Sequence, residues 1–589
     1  MGIPYSKEID GLRAVAVLAV VLYHAGLGGA GFVGVDIFFV ISGYLITSLL
    51  LKEQASGSVD LFAFYARRVR RIFPAAVFVV LATLAGASLL LSPDQQVQTA
   101  KSAGAALVFG ANVFFQTTTG GYFDAPSEQM PLLHLWSLSV EEQFYLLWPV
   151  LLIFLPRRWL VPALIVLASI SLAVAEYWIG EGSDAAFYGM PSRAWELAAG
   201  GLIAASPPGV ARPLLARAGV VLTFVACALP IGHFPGIGAL PAVLGACAVL
   251  WAVHGGTSNA VLSSKPMVGV GLISYSLYLW HWPLLAFYRA SIIGAGSVQV
   301  RLLLCAFAVL LAIATYRYIE QPFRHLRFKS GRTIAVGAAL SSMLAVSACA
   351  VAMHVENDLA ARADNPIAAA AGQDMATKAC HISGRDRMLL KCRPHSRTLV
   401  WGDSMAWSWL PAVPDGSDVS MDSCPPFVGY LPGKPVPASV QCRDHNTTVV
   451  KLPADTVVLV ALWNIYGDLR PLVSTLDALA KVPQVVIIGP TPEMHDAVPH
   501  CIRANAEHDC SLRRADFDAG AKPILARLRA LASHRPNVQV VDVTDHFCTQ
   551  TMCPPVLGGV PLYWDSHHIT RTAAGALAPV IRASVRPVH

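Results

Sequence analysis

The chain has 589 residues, of which 55% are hydrophobic and 14% charged, with a mean hydropathy of +0.53 and a formal net charge of +6. Soluble domains carry about a quarter charged residues, so this composition excludes a single water-soluble globule and requires many bilayer-length apolar segments. The small positive excess, with no long basic run, argues against nucleic acid as a partner.

Taken in order, apolar runs at 12–27, 32–51, 73–91, 144–155, 159–179, 194–205, 218–229, 236–253, 267–288, 302–319 and 333–353 predict about 11 membrane helices, the sixth being the weakest. With the N-terminus inside, the even-numbered loops are cytoplasmic. These carry Arg67, Arg68, Arg70 and Arg71, then Arg157 and Arg158, Arg212 and Arg217, Lys265, and finally Arg324, Arg327, Lys329 and Arg332. The odd loops carry only scattered charges such as Lys101, Arg193, Arg289 and Arg301. This is the positive-inside pattern of a multi-pass plasma-membrane protein, and it puts everything after residue 355 outside the cytoplasm. The first run reads as an uncleaved signal, and the apolar piece 103–115 in the third loop as a re-entrant or surface helix.

Ionisable residues inside apolar spans are costly and mark functional sites or packing partners. Arg13 and His24 are eleven residues apart in the first run. That is close to three helical turns, so both share one face, roughly 16 Å apart along the axis. Asp36 opens the second run, and Glu141, Glu142 and His281 sit near the outer ends of their spans. The segments IDGLRAVAVLAVVLYH, GFVGVDIFFVISGYLI, RRVRRIFP, LLHLWSLSVEEQFYLLWP, SYSLYLWHWP and IEQPF follow one another between about residues 5 and 325. In this order they resemble the membrane-bound acyltransferase-3 family. The resemblance implies a polytopic enzyme that uses cytoplasmic acetyl-CoA, or another acyl-CoA, to acylate an extracytoplasmic carbohydrate. It makes Arg13 and His24 the Arg-x10-His pair and Arg68 and Arg71 the cytoplasmic arginines. Guanidinium groups suit the phosphates of such a donor, and a mid-depth His24 suits a base or acyl carrier. Asp36, Glu141, Glu142 and His281 then form a polar path across the membrane.

After a linker at 356–396 the pattern changes. Short apolar strands at 456–462, 484–488 and 538–543 alternate with helical stretches, which predicts a parallel α/β sheet. TLVWGDS reads as a strand breaking into a sharp turn that places Ser404 beyond its carboxyl end, and YWDSHHIT supplies Asp565 and His568 near the C-terminus. A Gly-Asp-Ser after the first strand with a terminal Asp-x-x-His resembles the SGNH hydrolase family over about residues 397 to 589. That resemblance implies Ser404 as nucleophile, His568 as its base and Asp565 as the group holding the imidazole tautomer. Neighbouring His567 is the competing base. Asn464, after the next clear strand, is the best oxyanion donor, although the usual Gly-x-Asn-Asp is absent.

Eight of the 12 cysteines fall after the membrane region, as Cys380 with Cys392, Cys424 with Cys442, Cys501 with Cys510 and Cys548 with Cys553 in sequence order. An even set in a polar domain predicts disulfides and an oxidising compartment, with the connectivity open. The expected architecture is a polytopic all-α membrane domain at 1–330, an additional transmembrane helix at 331–355, the linker, and an extracytoplasmic three-layer α/β SGNH-like domain at 397–589. Fusions of this kind resemble bacterial O-acetyltransferases of lipopolysaccharide O-antigen, capsule or peptidoglycan. The expected partners are membrane lipid and a surface glycan, with no metal. A transporter with an attached esterase is the alternative.

Overall fold

The computed structural model describes residues 5–584 except 58, 92, 119–129, 182, 208–211, 230–231, 291–296, 327–329, 362–373, 375–379, 383–389, 414, 430–435, 467, 495–497 and 504–509. It divides into two compact units, Met1–Glu356 and Asn357–His589.

The first unit is helical: α1 Lys7–His24, α2 Gly34–Ala55, α3 Leu61–Leu90, α4 Leu135–Phe154, α5 Arg157–Gly180, α6 Met190–Ala205, α7 Pro213–Ala228, α8 Leu240–His254, α9 Lys265–Ala290, α10 Val298–Thr315 and α11 Ser330–Ala361. Among the described residues, six helical segments are long and apolar enough to cross a membrane: Gly31–Ala55, Leu61–Leu90, Leu135–Phe154, Arg157–Gly180, Ile237–His254 and Val298–Arg324. Helix α6, over the weakest of the predicted runs, is central rather than lipid-facing. It packs against both α2 and α5. A Cβ on Gly43 would stand 1.9 Å from the Leu197 carbonyl oxygen and one on Gly200 1.9 Å from that of Val40, so the α2–α6 crossing needs a glycine on each side. The piece expected to be re-entrant or surface-lying forms parts of two helices, Pro93–Leu107 and Ala111–Thr118, whose Ala103, Leu107 and Phe115 join the main core.

The second unit holds a five-stranded, wholly parallel sheet of β1 Thr398–Gly402, β2 Ser417–Asp418, β3 Thr456–Val460, β4 Gln484–Ile488 and β5 Val538–Val541, in the order β2-β1-β3-β4-β5. Strands β3 and β4 are buried along their whole length, as apolar runs covered on both faces must be. The order reverses at β1, so a crevice opens between the carboxyl ends of β1 and β3. Gly402 closes β1 there, and a Cβ on it would stand 1.6 Å from the Val460 oxygen.

This unit reaches upstream of residue 397. Ile382 forms a parallel bridge with Met421, and Asp374 accepts from the amide of Thr572 at 2.9 Å, at the start of helix Arg571–Ser584. Disulfides join Cys380 to Cys392, Cys424 to Cys442, Cys501 to Cys510 and Cys548 to Cys553.

Candidate active sites

In the helical unit, Arg13, Arg68 and Arg71 line one cavity of about 100 Å³ together with Glu141, Tyr145 and Tyr278. The four clustered arginines divide by helical phase. Arg67 pairs with Glu53 and Arg70 Nη1 donates to the Leu326 oxygen at 2.8 Å, whereas Arg68 and Arg71, three apart, face the cavity. Arg13 is held by Asp10 at 3.0 Å.

Helix α4 begins at Leu135, nine residues before the apolar run predicted there. Glu141 and Glu142 therefore lie within the helix and not near its outer end, because a run of Ser, Glu and Gln lowers hydropathy without ending a helix that is buried by its neighbours. The Glu141 carboxylate accepts from Ser42 and Tyr145. Glu142 faces a second cavity, of about 490 Å³, which it shares with Arg68, and its Oε1 is buried with no hydrogen-bond partner among the described residues.

Ser137 and Tyr278 also line the first cavity, and their hydroxyl groups are 2.7 Å apart. Three buried histidines cluster beside Tyr278. His24 Nδ1 is 3.0 Å from His281 Nε2, and the ring of His134 is 5.8 Å from that of His281. His134 lies in the LLHLWSLSV segment, where nothing in its spacing marks it. Its signal is spatial.

Asp36 lies apart from these residues. It is fully buried beside Arg193, with Nη2 to Oδ1 at 3.2 Å, and Arg193 Nε also lies 3.3 Å from Glu196 Oε1. The guanidinium carbon sits 5.2 to 5.9 Å from the ring centroids of Phe39, Trp136, Phe187 and Phe234. Arg193, expected in an outer loop, is thus wholly buried within α6. Arg289, also expected in a loop, is on α9, and its Nη2 donates to the His24 carbonyl oxygen at 2.6 Å.

In the α/β unit, Ser404 opens the short helix Ser404–Ser408 directly after β1. Asp403 before it is an anchor. Oδ1 accepts from the Met405 amide at 2.9 Å, and Oδ2 from the Leu462 amide at 3.0 Å and the Tyr466 hydroxyl at 2.7 Å. Burial pushes its carboxyl above the usual range, against these bonds.

His568 Nδ1 meets Asp565 Oδ2 at 2.6 Å, while Asp565 Oδ1 accepts the amides of His567 and His568 at 2.9 and 2.7 Å. Burial alone would raise the Asp565 carboxyl, but the hydrogen bond and charge of His568 and the charge of His567 hold it down to about 2. His568 Nε2 is buried without a hydrogen-bond partner among the described residues. The imidazole packs on Trp407 and Trp564 at centroid distances of 5.5 and 5.3 Å. Since Trp407 lies three residues after Ser404 in the same helix, the two motifs meet at one end of the sheet. His567 Nδ1 is 4.0 Å from Asp565 Oδ1 and 2.9 Å from Ser566 Oγ.

Asn464 is exposed on the turn after β3 and donates to Glu493 Oε2 at 3.2 Å. Asp565, His567 and His568 have ligand-type atoms within 4.8 Å of one another. The carboxylate's bonds to the His568 ring and to two amides are those of an Asp–His pair.

Residues 6–317 match the family model described as Acyltransferase domain, and residues 364–583 the one described as SGNH domain (fused to AT3 domains). Among curated proteins, O-acetyltransferase OatA of Staphylococcus aureus (strain NCTC 8325 / PS 47) is 34% identical over 357 residues, covering 55% of this chain and 58% of that protein. Putative O-acetyltransferase SAS0844 of S. aureus (strain MSSA476) is 34% identical over 349 residues, covering 54% and 57%. The chain thus spans a little more than half the length of these relatives. The solved periplasmic domain of a Salmonella ser. Paratyphi A lipopolysaccharide acetyltransferase is 14% identical with a TM-score of 0.24, over 32% of this chain and 84% of that one, a likeness too low to carry an argument.

Proposed function

This chain belongs to the membrane acyltransferase-3 family, with an SGNH domain fused behind it, and from that premise we propose that it is an O-acyltransferase of a cell-surface glycan. The donor in this reading is cytoplasmic acetyl-CoA or a close acyl-CoA. The chain crosses the plasma membrane about eleven times, with the N-terminus inside and the α/β unit outside, in the periplasm of a bacterium with two membranes. The acceptor is a sugar hydroxyl of a polysaccharide such as lipopolysaccharide O-antigen, with capsule or peptidoglycan as the other candidates.

The observation that carries the reading is the cavity bounded by Arg13, Arg68 and Arg71 at one part and by Tyr278, next to the histidines, at another. Guanidinium groups bind the donor's phosphates, and the histidines supply a base where the acyl carbon reacts. In the second step Ser404 takes the acyl group as an ester and a sugar hydroxyl removes it, with His568 Nε2 moving the proton and Asp565 fixing the ring.

Mass spectrometry of surface polysaccharide from cells with and without the gene tests the function directly. Loss of ester groups in the deletion, restored by the wild-type chain and not by His24→Ala, is the expected result. Unaltered esters would refute it. Reporter fusions at residues 330 and 397 test the orientation, which fails if both report the same side.

A further inference from the structure

We infer that His281 is the positioning residue that decides which nitrogen of His24 is basic, an inference that rests on the acyl-transfer reading above. His281 Nδ1 faces two carbonyl oxygens of its own helix, that of Tyr278 at 2.7 Å and that of Leu277 at 3.3 Å. Carbonyl oxygens only accept, so Nδ1 carries the hydrogen. In a neutral imidazole, Nε2 is then bare and only accepts. It lies 3.0 Å from His24 Nδ1, which must therefore be the donor, and the basic lone pair of His24 is left on Nε2.

The ring geometry agrees with this bond. The two imidazoles are nearly parallel, at 9°, with centroids 5.2 Å apart, so they meet edge to edge along the N–H···N line. Trp282 stands edge-on to the His24 ring at 4.4 Å, and Arg289 holds the His24 carbonyl at 2.6 Å. The Trp282 contact thus helps to keep the ring in the orientation that points Nδ1 at His281.

The arrangement does with a neutral partner what a carboxylate does for the histidine of a serine hydrolase. In acyl transfer, His24 Nε2 takes the proton of the attacking hydroxyl as its oxygen bonds to the acyl carbon. The carbon–sulfur bond then breaks, and the proton returns from Nε2 to the departing CoA thiolate. While His24 holds that proton, its Nδ1–H···Nε2 bond to His281 becomes charge-assisted, and the helix carbonyls behind His281 stabilise the shared charge.

The test uses the full chain in lipid vesicles, with acetyl-CoA as donor, a soluble sugar as the source of the attacking hydroxyl and release of CoA thiol as the readout. His281→Gln places an amide oxygen where Nε2 was and keeps an acceptor for His24, whereas His281→Asn is too short to reach it. The inference expects Gln to retain most of kcat. It expects Asn to lose on the order of 100-fold in kcat with KM for acetyl-CoA unchanged, as for loss of a general base. Equal effects of Gln and Asn, or a wild-type kcat in Asn, would overturn it. No thiol release by the wild-type chain, or release indifferent to His24→Ala, would instead overturn the acyl-transfer reading. Nitrogen-15 NMR of histidine-labelled wild-type chain, assigned with His24→Ala, gives an answer independent of activity and of how the variants fold. It should find the His24 Nε2 without hydrogen, and a protonated Nε2 with a bare Nδ1 refutes the inference.

Discussion

Asp565 accepts a hydrogen bond from Nδ1 of His568 at 2.6 Å, and so leaves Nε2 of that ring as its basic nitrogen. The pair sits in the α/β unit against Trp407, three residues after Ser404. We predict that Ser404→Ala and His568→Ala each remove nearly all esterase activity of the chain on activated acyl esters, and that the double variant is no worse than either single one. Groups that act as a unit are grossly non-additive. Additive losses in the measured rates would separate Ser404 from His568.

A second prediction concerns acid stability. The Asp565 carboxyl is lowered from 3.8 to about 2 in the folded state. A folded value below the unfolded one contributes stability that is complete above about pH 4 and fades as pH falls toward 2, on the order of 2 kcal/mol in all. Asp403, raised by burial, contributes the opposite slope. The informative measurement is therefore chemical denaturation of Asp565→Asn beside wild type between pH 5 and pH 2. The wild-type advantage should shrink across that window, and a constant difference would count against the pairing as its source.

The Arg193 cage gives a third prediction. Replacing Arg193 by Leu leaves Asp36 and Glu196 buried without their cation, at a cost of about 3 to 5 kcal/mol. The variant should be lost from membranes or melt far earlier in detergent. Adding Asp36→Asn and Glu196→Gln should restore much of the loss, because the uncompensated charges go with them. If Arg193→Leu melts like wild type, the cage is not what holds α2 and α6 together.

Gly402→Ala supplies a fourth. The new methyl group would meet the Val460 backbone oxygen at 1.6 Å, so β1 and β3 must part next to Ser404. A lower melting temperature of the α/β unit together with lost esterase activity is expected. Wild-type values for both would show that the strands can shift without consequence.

What the sequence made legible was local. A strand followed by Gly-Asp-Ser, an Asp-x-x-His and the arginine cluster at 67–71 are all written within a few residues; which of those arginines face the cavity appears only in the fold. Arg193 was missed because a charge lowers any hydropathy window, and its partner Asp36 is 157 positions away. The same effect hid the first two turns of α4 and with them the depth of Glu141. Asp403 reads from sequence as a spacer in a motif. Its three bonds, to Met405, Leu462 and Tyr466, exist only once β1 and β3 lie side by side.

Asp374 bears on the order in which the α/β unit is completed. Its carboxylate caps a helix 198 positions later, so the unit is a loop closed across nearly its whole length. The contact cannot form until the final helix has been synthesised, and closures of such sequence separation are slow. The disulfide loops, with separations of 5 to 18 residues, need no such wait. The chain can therefore acquire its covalent clips while it is still emerging, before the strands and helices they hold have settled into one fold.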